Sequence, residues 1–297
     1  YSIDLQVKNF DRQEGVTMRQ AEMSIPIEFT TSFFDDFLNV SLAEELYYSK
    51  FFFGNERFIH DNFHYYSNIN KAKLFTDLTK DYGDFIHVLQ PSFGYVKPGN
   101  ENEDPVAFEL LTEAQKELFS VGLPEEHYAL ALSHYFYDKN MKLKFYQRFT
   151  QRYYFDRKHK FADISNEMQY NWEKWQFYND LVYATEFDKI RESSSRISLR
   201  EKEYNFTLEH TYKKVLEDQP TRLRANDVNF RFGYTYNERI DINGGLTYDI
   251  DDASSTQWRF GGSYKQDCWS MAASIRQDIT PRPNNEYTTD NSFFVQF

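Results

Sequence analysis

The chain has 297 residues, a formal net charge of −12 and a single cysteine, yet 19% of it is aromatic, with 29 Phe and 23 Tyr. No run of about 18 consecutive apolar residues occurs, which excludes a helical membrane span, and one cysteine excludes an internal disulfide framework. A pI near 5.1 without a basic tract argues against nucleic acid as a partner, and the wealth of rings argues against disorder.

Strands are expected near residues 1–10, 16–30, 37–49, 58–77 and 85–96. Within the fourth, His60 and His64 have the i, i+4 spacing of helical metal ligands, but the segment reads as a strand, so no metal site is expected. Residues 97–127 make the longest loop. Its stretch LLTEAQKELF reads as a short helix with Leu110, Leu111, Ala114 and Leu118 on one face, a cap over a pore. Ser133 and His134 are adjacent, so on a strand they face opposite ways, and no G-x-S-x-G motif is present. Neither an enzyme nor a cofactor is expected.

From there the alternation is regular. Leu143, Phe145, Phe149, Tyr153 and Phe155 oppose a basic row of Lys142, Lys144, Arg148 and Arg152, which could steer an anion along a lumen wall or simply be solvated. Phe177, Leu181, Tyr183 and Phe187 oppose Gln176, Asp180 and Glu186; Phe206, Leu208 and Tyr212 oppose Thr207, Glu209 and Lys213. Val228, Phe230, Phe232, Tyr234 and Tyr236 form one face of the next segment, and Ile240, Ile242, Leu246 and Tyr248 one face of its successor. Trp258, Phe260 and Tyr264, then Trp269, Met271, Ala273 and Ile275, then Phe293, Val295 and Phe297 complete the series. Period two with a charged face is the mark of a strand between two different solvents.

Connector lengths alternate as well. Residues 278–291, 251–256, 217–226, 188–195, 156–160 and 97–127 are longer, while Gln266-Asp267, Asn237–Arg239, the turn at Glu203, Glu173-Lys174 and Asp138–Asn140 are short. Outer-membrane barrels have short periplasmic turns and longer extracellular loops. The expected fold is therefore an all-β, transmembrane antiparallel β-barrel occupying 1–297, with about 16 strands visible, in the outer membrane of a Gram-negative cell. The chain opens on Tyr1 without a secretory signal; either a signal was removed or a longer protein continues it. The ending SFFVQF, alternate apolar residues closing on Phe297, suits the signal read by the barrel assembly machinery. Cys268 falls at a short, periplasmic turn. An odd cysteine there either pairs with a cysteine elsewhere or is a small residue at a strand start.

Several segments resemble the lipopolysaccharide-assembly outer-membrane protein family (LptD, also called OstA): FIHVLQPSFGYVKPG at 85–99, with His87 and Pro91; ALSHYFYDKNMKLKFYQRFTQRYYFD; GGLTYDI; GGSYKQDCWSMAASIRQ, with Asp267, Cys268 and Trp269; and TTDNSFFVQF. The resemblance covers roughly 85–297 in patches. It implies a C-terminal barrel portion without the family's N-terminal periplasmic jelly-roll domain. It implies lipopolysaccharide as cargo, a plug lipoprotein of LptE type, a periplasmic bridge protein of LptA type, and exit through a lateral gate whose one side is the last strand, with Phe293, Val295 and Phe297. It also implies that Cys268 pairs with a cysteine near the N-terminal domain. Many members carry two adjacent cysteines there, and this chain has one. A general or substrate-specific porin is the alternative expectation.

Overall fold

The computed structural model describes residues 2–57, 61–103, 109–118, 124–218, 224–252, 254–281 and 287–297. In chain order the strands are β1 (Asp4–Phe10), β2 (Thr17–Phe33), β3 (Leu38–Gly54), β4 (Asn62–Phe75), β5 (Leu78–Asp81), β6 (Phe85–Glu103), β7 (His127–Asp138), β8 (Leu143–Tyr154) and β9 (Ile164–Trp172). They continue as β10 (Trp175–Ala184), β11 (Lys189–Arg200), β12 (Tyr204–Lys213), β13 (Ala225–Asn237), β14 (Ile240–Asp249), β15 (Ser254–Lys265), β16 (Ser270–Pro281) and β17 (Tyr287–Gln296). A short helix, α1 (Glu113–Lys116), lies between β6 and β7. The fold is all-β: 17 antiparallel strands in one sheet, the strand arrangement of a large β-barrel.

The expected count of about 16 and the observed 17 differ at one place. β4 and β5 both pair with β6, and their registers continue one another: Phe75 faces Ser92 and Leu78 faces Leu89. The break falls opposite Pro91, whose ring nitrogen has no hydrogen to donate; its carbonyl accepts from the Thr76 N–H at 3.4 Å. Counted as one interrupted strand, β4 and β5 restore 16, and connectors of two to four residues alternate with a set of four to 23, in which 185–188 and 250–253 are no longer than the longest of the short ones. Residues 34–37, 82–84, 139–142, 173–174, 201–203, 238–239 and 266–269 form the short set, and 11–16, 55–61, 104–126, 155–163, 185–188, 214–224, 250–253 and 282–286 the other.

Several expected loops shrink, among them 251–256, whose last three residues open β15. The serine-rich stretch expected as loop 188–195 is strand β11, because ladders on both sides hold it: Ser194 faces Asp180 of β10, and Ser195 faces His210 of β12. Residues 278–281 and 287–291, expected as loop, extend β16 and β17, with Asp278 facing Asp290 and Ile279 facing Thr289. Residues 97–103 continue β6. Pairing across strands overrides turn-forming composition here. His60 and residues 282–286 lie outside the described residues.

The contacts divide the chain into two units. The first comprises residues 1–77, 90–131 and 151–162. Its strands β2 and β3 have 17 residues each and β6 has 19 in all, against the roughly 9–11 that span a bilayer. On one face, Ile27, Phe29, Leu42, Leu74 and Phe93 are exposed. On the other, at the long-connector end, Val16, Met18, Phe51, Phe53, Phe63, Tyr65 and Leu111 form a buried cluster, with Phe51 ring to ring against Phe53 and Phe63 at 6.4 Å. Beside it, buried Gln20 donates to Ser49 at 2.9 Å and to Glu22 at 3.0 Å, so its amide N–H groups stay satisfied. The expected helix is one turn long, capped by Thr112 and Gln115 bonding each other's backbone N–H. Its predicted face is corrected: Leu111 is buried and Leu118 packs on the cluster, but Leu110 and Ala114 are exposed and Gln115 is buried instead. One turn is too short to impose a 3.6-residue period.

The second unit comprises residues 78–89, 132–150 and 163–297. Its strands β9 to β17 have 9 to 13 residues. One face carries the apolar series read from the sequence, in register: Phe206 faces Phe232, Leu208 faces Phe230, Phe230 faces Leu246, and Ile275 faces both Phe260 and Phe293. Aromatic residues flank the short turns on this face: Trp172 and Trp175, Tyr204, Tyr234, and Tyr264 with Trp269, the last two rings 5.5 Å apart. Tyr183, Tyr212 and Tyr248 mark its other end. Tyr204 and Tyr212 are eight residues apart on one strand, about 26 Å at 3.3 Å per residue.

Candidate functional site

The opposite face of the second unit is polar. Glu167 of β9 accepts from the Tyr146 and Tyr178 hydroxyls at 3.2 and 3.4 Å. Asp241 of β14 accepts from Thr235 at 2.8 Å and pairs with Lys265 at 3.0 Å. At the long-connector end, Arg191 is buried between Asp163 at 2.5 Å and Asp218 at 2.8 Å, and so ties the connector before β9 to the one after β12. Outside the strands, the Lys174 ammonium is held above its ordinary value by its bond to Glu201. Asp251 is held below its ordinary value by the Asn226 amide and then by Arg224.

The register assembles a row that no single segment shows. Arg231 of β13 faces Gly245 of β14, Gly245 faces Arg259 of β15, and Arg259 faces Arg276 of β16. Like charges directly opposite repel. Two of the three are neutralised: Arg231 by Glu209 at 3.0 Å, and Arg276 by Asp278 at 2.6 Å. Arg259 is exposed and has no ion-pair partner among the described residues. A Cβ at Gly245 would be tight only against the Phe230 carbonyl oxygen, at 3.1 Å, and would lie in ordinary contact with the side chains of Arg231 at 3.4 Å and Arg259 at 3.8 Å. The result is an arginine row with one cation free for a passing anion. Sequence reading missed it because its members lie on three strands.

The basic row expected along β8 is not assembled as one track. Lys142 lies in the connector before β8, with its N–H bonded to Asp138; Lys144 pairs with Asp138 at 3.4 Å; Arg148 faces Glu167 across the ladder. Arg152 belongs to the first unit, where it lines a cavity of about 680 Å³ with Lys71, His127 and Arg157. That grouping joins a lysine from β4, a histidine from β7, and arginines from β8 and the connector after it.

The remaining sequence-predicted residues are scattered. Cys268 is an exposed free thiol in connector 266–269, and the adjacent Trp269 is half exposed. Phe293 and Val295 sit on the apolar face of β17 opposite Ile275 and Ala273, and Phe297 lies just beyond the strand, 88% exposed. His87 stacks on Phe136 at 4.1 Å and lies parallel to His134, with Nε2 of one 3.2 Å from Nδ1 of the other. That contact engages His134, and Ser133 is buried beside it in sequence. Among the described residues no group of three or more His, Cys, Asp or Glu could hold a metal, and no described helix is long and apolar enough to cross a membrane.

No family model and no curated protein matches the chain. A solved structure described as "Asymmetric conductivity of engineered proteins" aligns over 98% of both chains at 12% identity with a TM-score of 0.35, and a likeness at that score carries no argument.

Proposed function

We propose that the chain forms a transmembrane wall of an outer-membrane β-barrel that delivers lipopolysaccharide to the outer leaflet. Several observations support the membrane half of the reading. One face of the second unit is apolar between two levels of aromatic residues about 26 Å apart along a strand, which at a tilt of about 35–45° is about 20 Å of height, most of the apolar band of such barrels. The other face is charged and hydrogen-bonded, as a wet lumen requires. The alternating connectors give the two ends different characters, short turns in the periplasm and long ones outside. The observation that carries the lipopolysaccharide half is the exposed Cys268 beside Trp269 on a short connector. There it can tether the barrel to a periplasmic domain, as the resemblance implies. In this reading β17, with Phe293 and Val295, forms one side of a lateral gate; a plug lipoprotein fills the lumen, and a periplasmic bridge protein supplies the cargo. Backbone polar groups cannot face lipid unpaired, so a partner or the passing lipid must stabilise an opening seam.

Depletion of the protein from growing cells tests this. The expected result is loss of newly made lipopolysaccharide from the surface, read by its access to a surface enzyme, before any loss of small-solute permeability. Normal delivery in depleted cells refutes it. A diffusion channel is the second reading, favoured by the arginine row with Arg259 unpaired. Steady anion-selective conductance of the purified protein in planar bilayers, without any lipoprotein, supports that reading.

A further inference from the structure

We propose that the cavity on the polar face of the first unit is a binding site for a phosphorylated sugar. It is an open depression formed by four strands and the connectors beside them. Lys71 comes from β4, Val96 from β6, His127 from β7, and Arg152 with Tyr154 from β8, while Glu125 and Arg157 come from the flanking connectors. Local structure fixes the rim. The Ala162 N–H donates to the Arg152 carbonyl at 2.9 Å and the Tyr154 N–H to the Lys160 carbonyl at 2.7 Å, so connector 155–163 folds back as a small hairpin beneath Arg152.

The cations are not equivalent. Arg157 grips Glu125 through Nε and Nη2 and lies 3.7 Å over the Tyr154 ring. Lys71 pairs with Glu45 at 2.6 Å. The Arg152 side chain has no hydrogen-bond or ion-pair partner among the described residues. His127 is buried with its Nδ1 at 2.7 Å from the Glu125 carbonyl; a carbonyl only accepts, so Nδ1 carries the hydrogen and Nε2 is left for a ligand. The cavity therefore offers one free guanidinium fork, suited to a phosphate, and two cations whose carboxylate partners can be shared. The rest of the lining, Ile69, Val96 and Pro124, is apolar, and the buried Tyr154 ring lies beneath Arg157. A bare inorganic anion would leave those surfaces wet, whereas a sugar ring covers them with its C–H faces and presents hydroxyls to Glu125 and His127. The volume fits a small organic ligand.

Titration calorimetry on the detergent-solubilised chain tests the site, with glucose 6-phosphate, glucose and inorganic phosphate as probes. Glucose 6-phosphate is expected to bind at least about tenfold more tightly than either other probe, because only it meets both the fork and the apolar lining. Arg152→Gln is expected to weaken it at least about tenfold, and Arg152→Lys, which keeps the charge but not the fork, to weaken it less. Arg239→Gln, far along the chain on a short turn, should leave it unchanged. Equal affinity for glucose overturns the anion site, equal affinity for inorganic phosphate overturns the sugar, and unchanged affinity in Arg152→Gln overturns the location. The titration reads binding and not transport, so a failure here leaves the transport proposal standing, and the reverse holds too.

Discussion

The segment 109–118 is held on the first unit's core by one buried apolar side chain, and Leu111→Ala isolates its contribution. Leu111 is 4% exposed within the cluster of Val16, Met18, Phe51, Phe53, Phe63 and Tyr65. Of its neighbours, Leu110 is exposed, Leu118 is partly buried against the cluster, and Gln115 is buried but polar, so Leu111 is the one apolar side chain of the described segment that is fully buried. Truncating a buried Leu costs about 2–5 kcal/mol. Taken as a change in local opening, that raises the undocked population by at least about 30-fold, since 1.4 kcal/mol is a factor of ten. The Thr112–Gln115 capping box is unaffected, so α1 keeps its turn while losing its anchor. Tryptic cleavage at Lys116 reports the open population when opening is fast relative to cleavage. The expected result is cleavage at Lys116 accelerated by about 30-fold or more, with the strand ladders intact. Acceleration below about threefold would mean that Leu111 does not hold the segment down, and would refute the reasoning.

Other consequences follow from the ladders and charges. Ile275 lies in β16, which pairs with both β15 and β17, so Ile275→Pro loses a ladder bond whichever way its N–H points; no heat-modifiable folded species should be recovered. A Cβ at Gly244 would lie 2.5 Å from Phe232 Cε1; Gly244→Val should destabilise by about 1–3 kcal/mol in urea titrations, and adding Phe232→Ala should recover part of that loss as a coupling between the two sites. Asp251 has a folded pKa below its ordinary 3.8. Its contribution to holding connector 250–253 is therefore full above that value and is lost as pH falls through it toward the depressed one. The Arg224 side-chain N–H signal should lose protection over that window, and in Asp251→Asn the signal should show no such step.

What the sequence determined by itself is the two-faced strand. Alternation at 228–236, 240–250 and 257–265 reflects a local geometric rule, successive side chains on opposite faces, so it survives translation into structure residue by residue. The short turns at 173–174 and 238–239 were legible for the same reason, since each is a local chain reversal. The break at β4–β5 was not legible: its cause, Pro91, sits on the partner strand, 15 residues along the chain from Thr76. Strand β11 was hidden by its serines, which become strand only because β10 and β12 lie on both sides. The same limit governed the sites. Lys142, Lys144, Arg148 and Arg152 share a face in sequence, yet Asp138 and Glu167 face the first three, and Arg152 joins Lys71, His127 and Arg157 from distant strands. Arg231, Arg259 and Arg276 form a row only through register. Alternation says which face a residue takes, but pairing of distant segments decides what stands beside it, and that choice is made by tertiary packing.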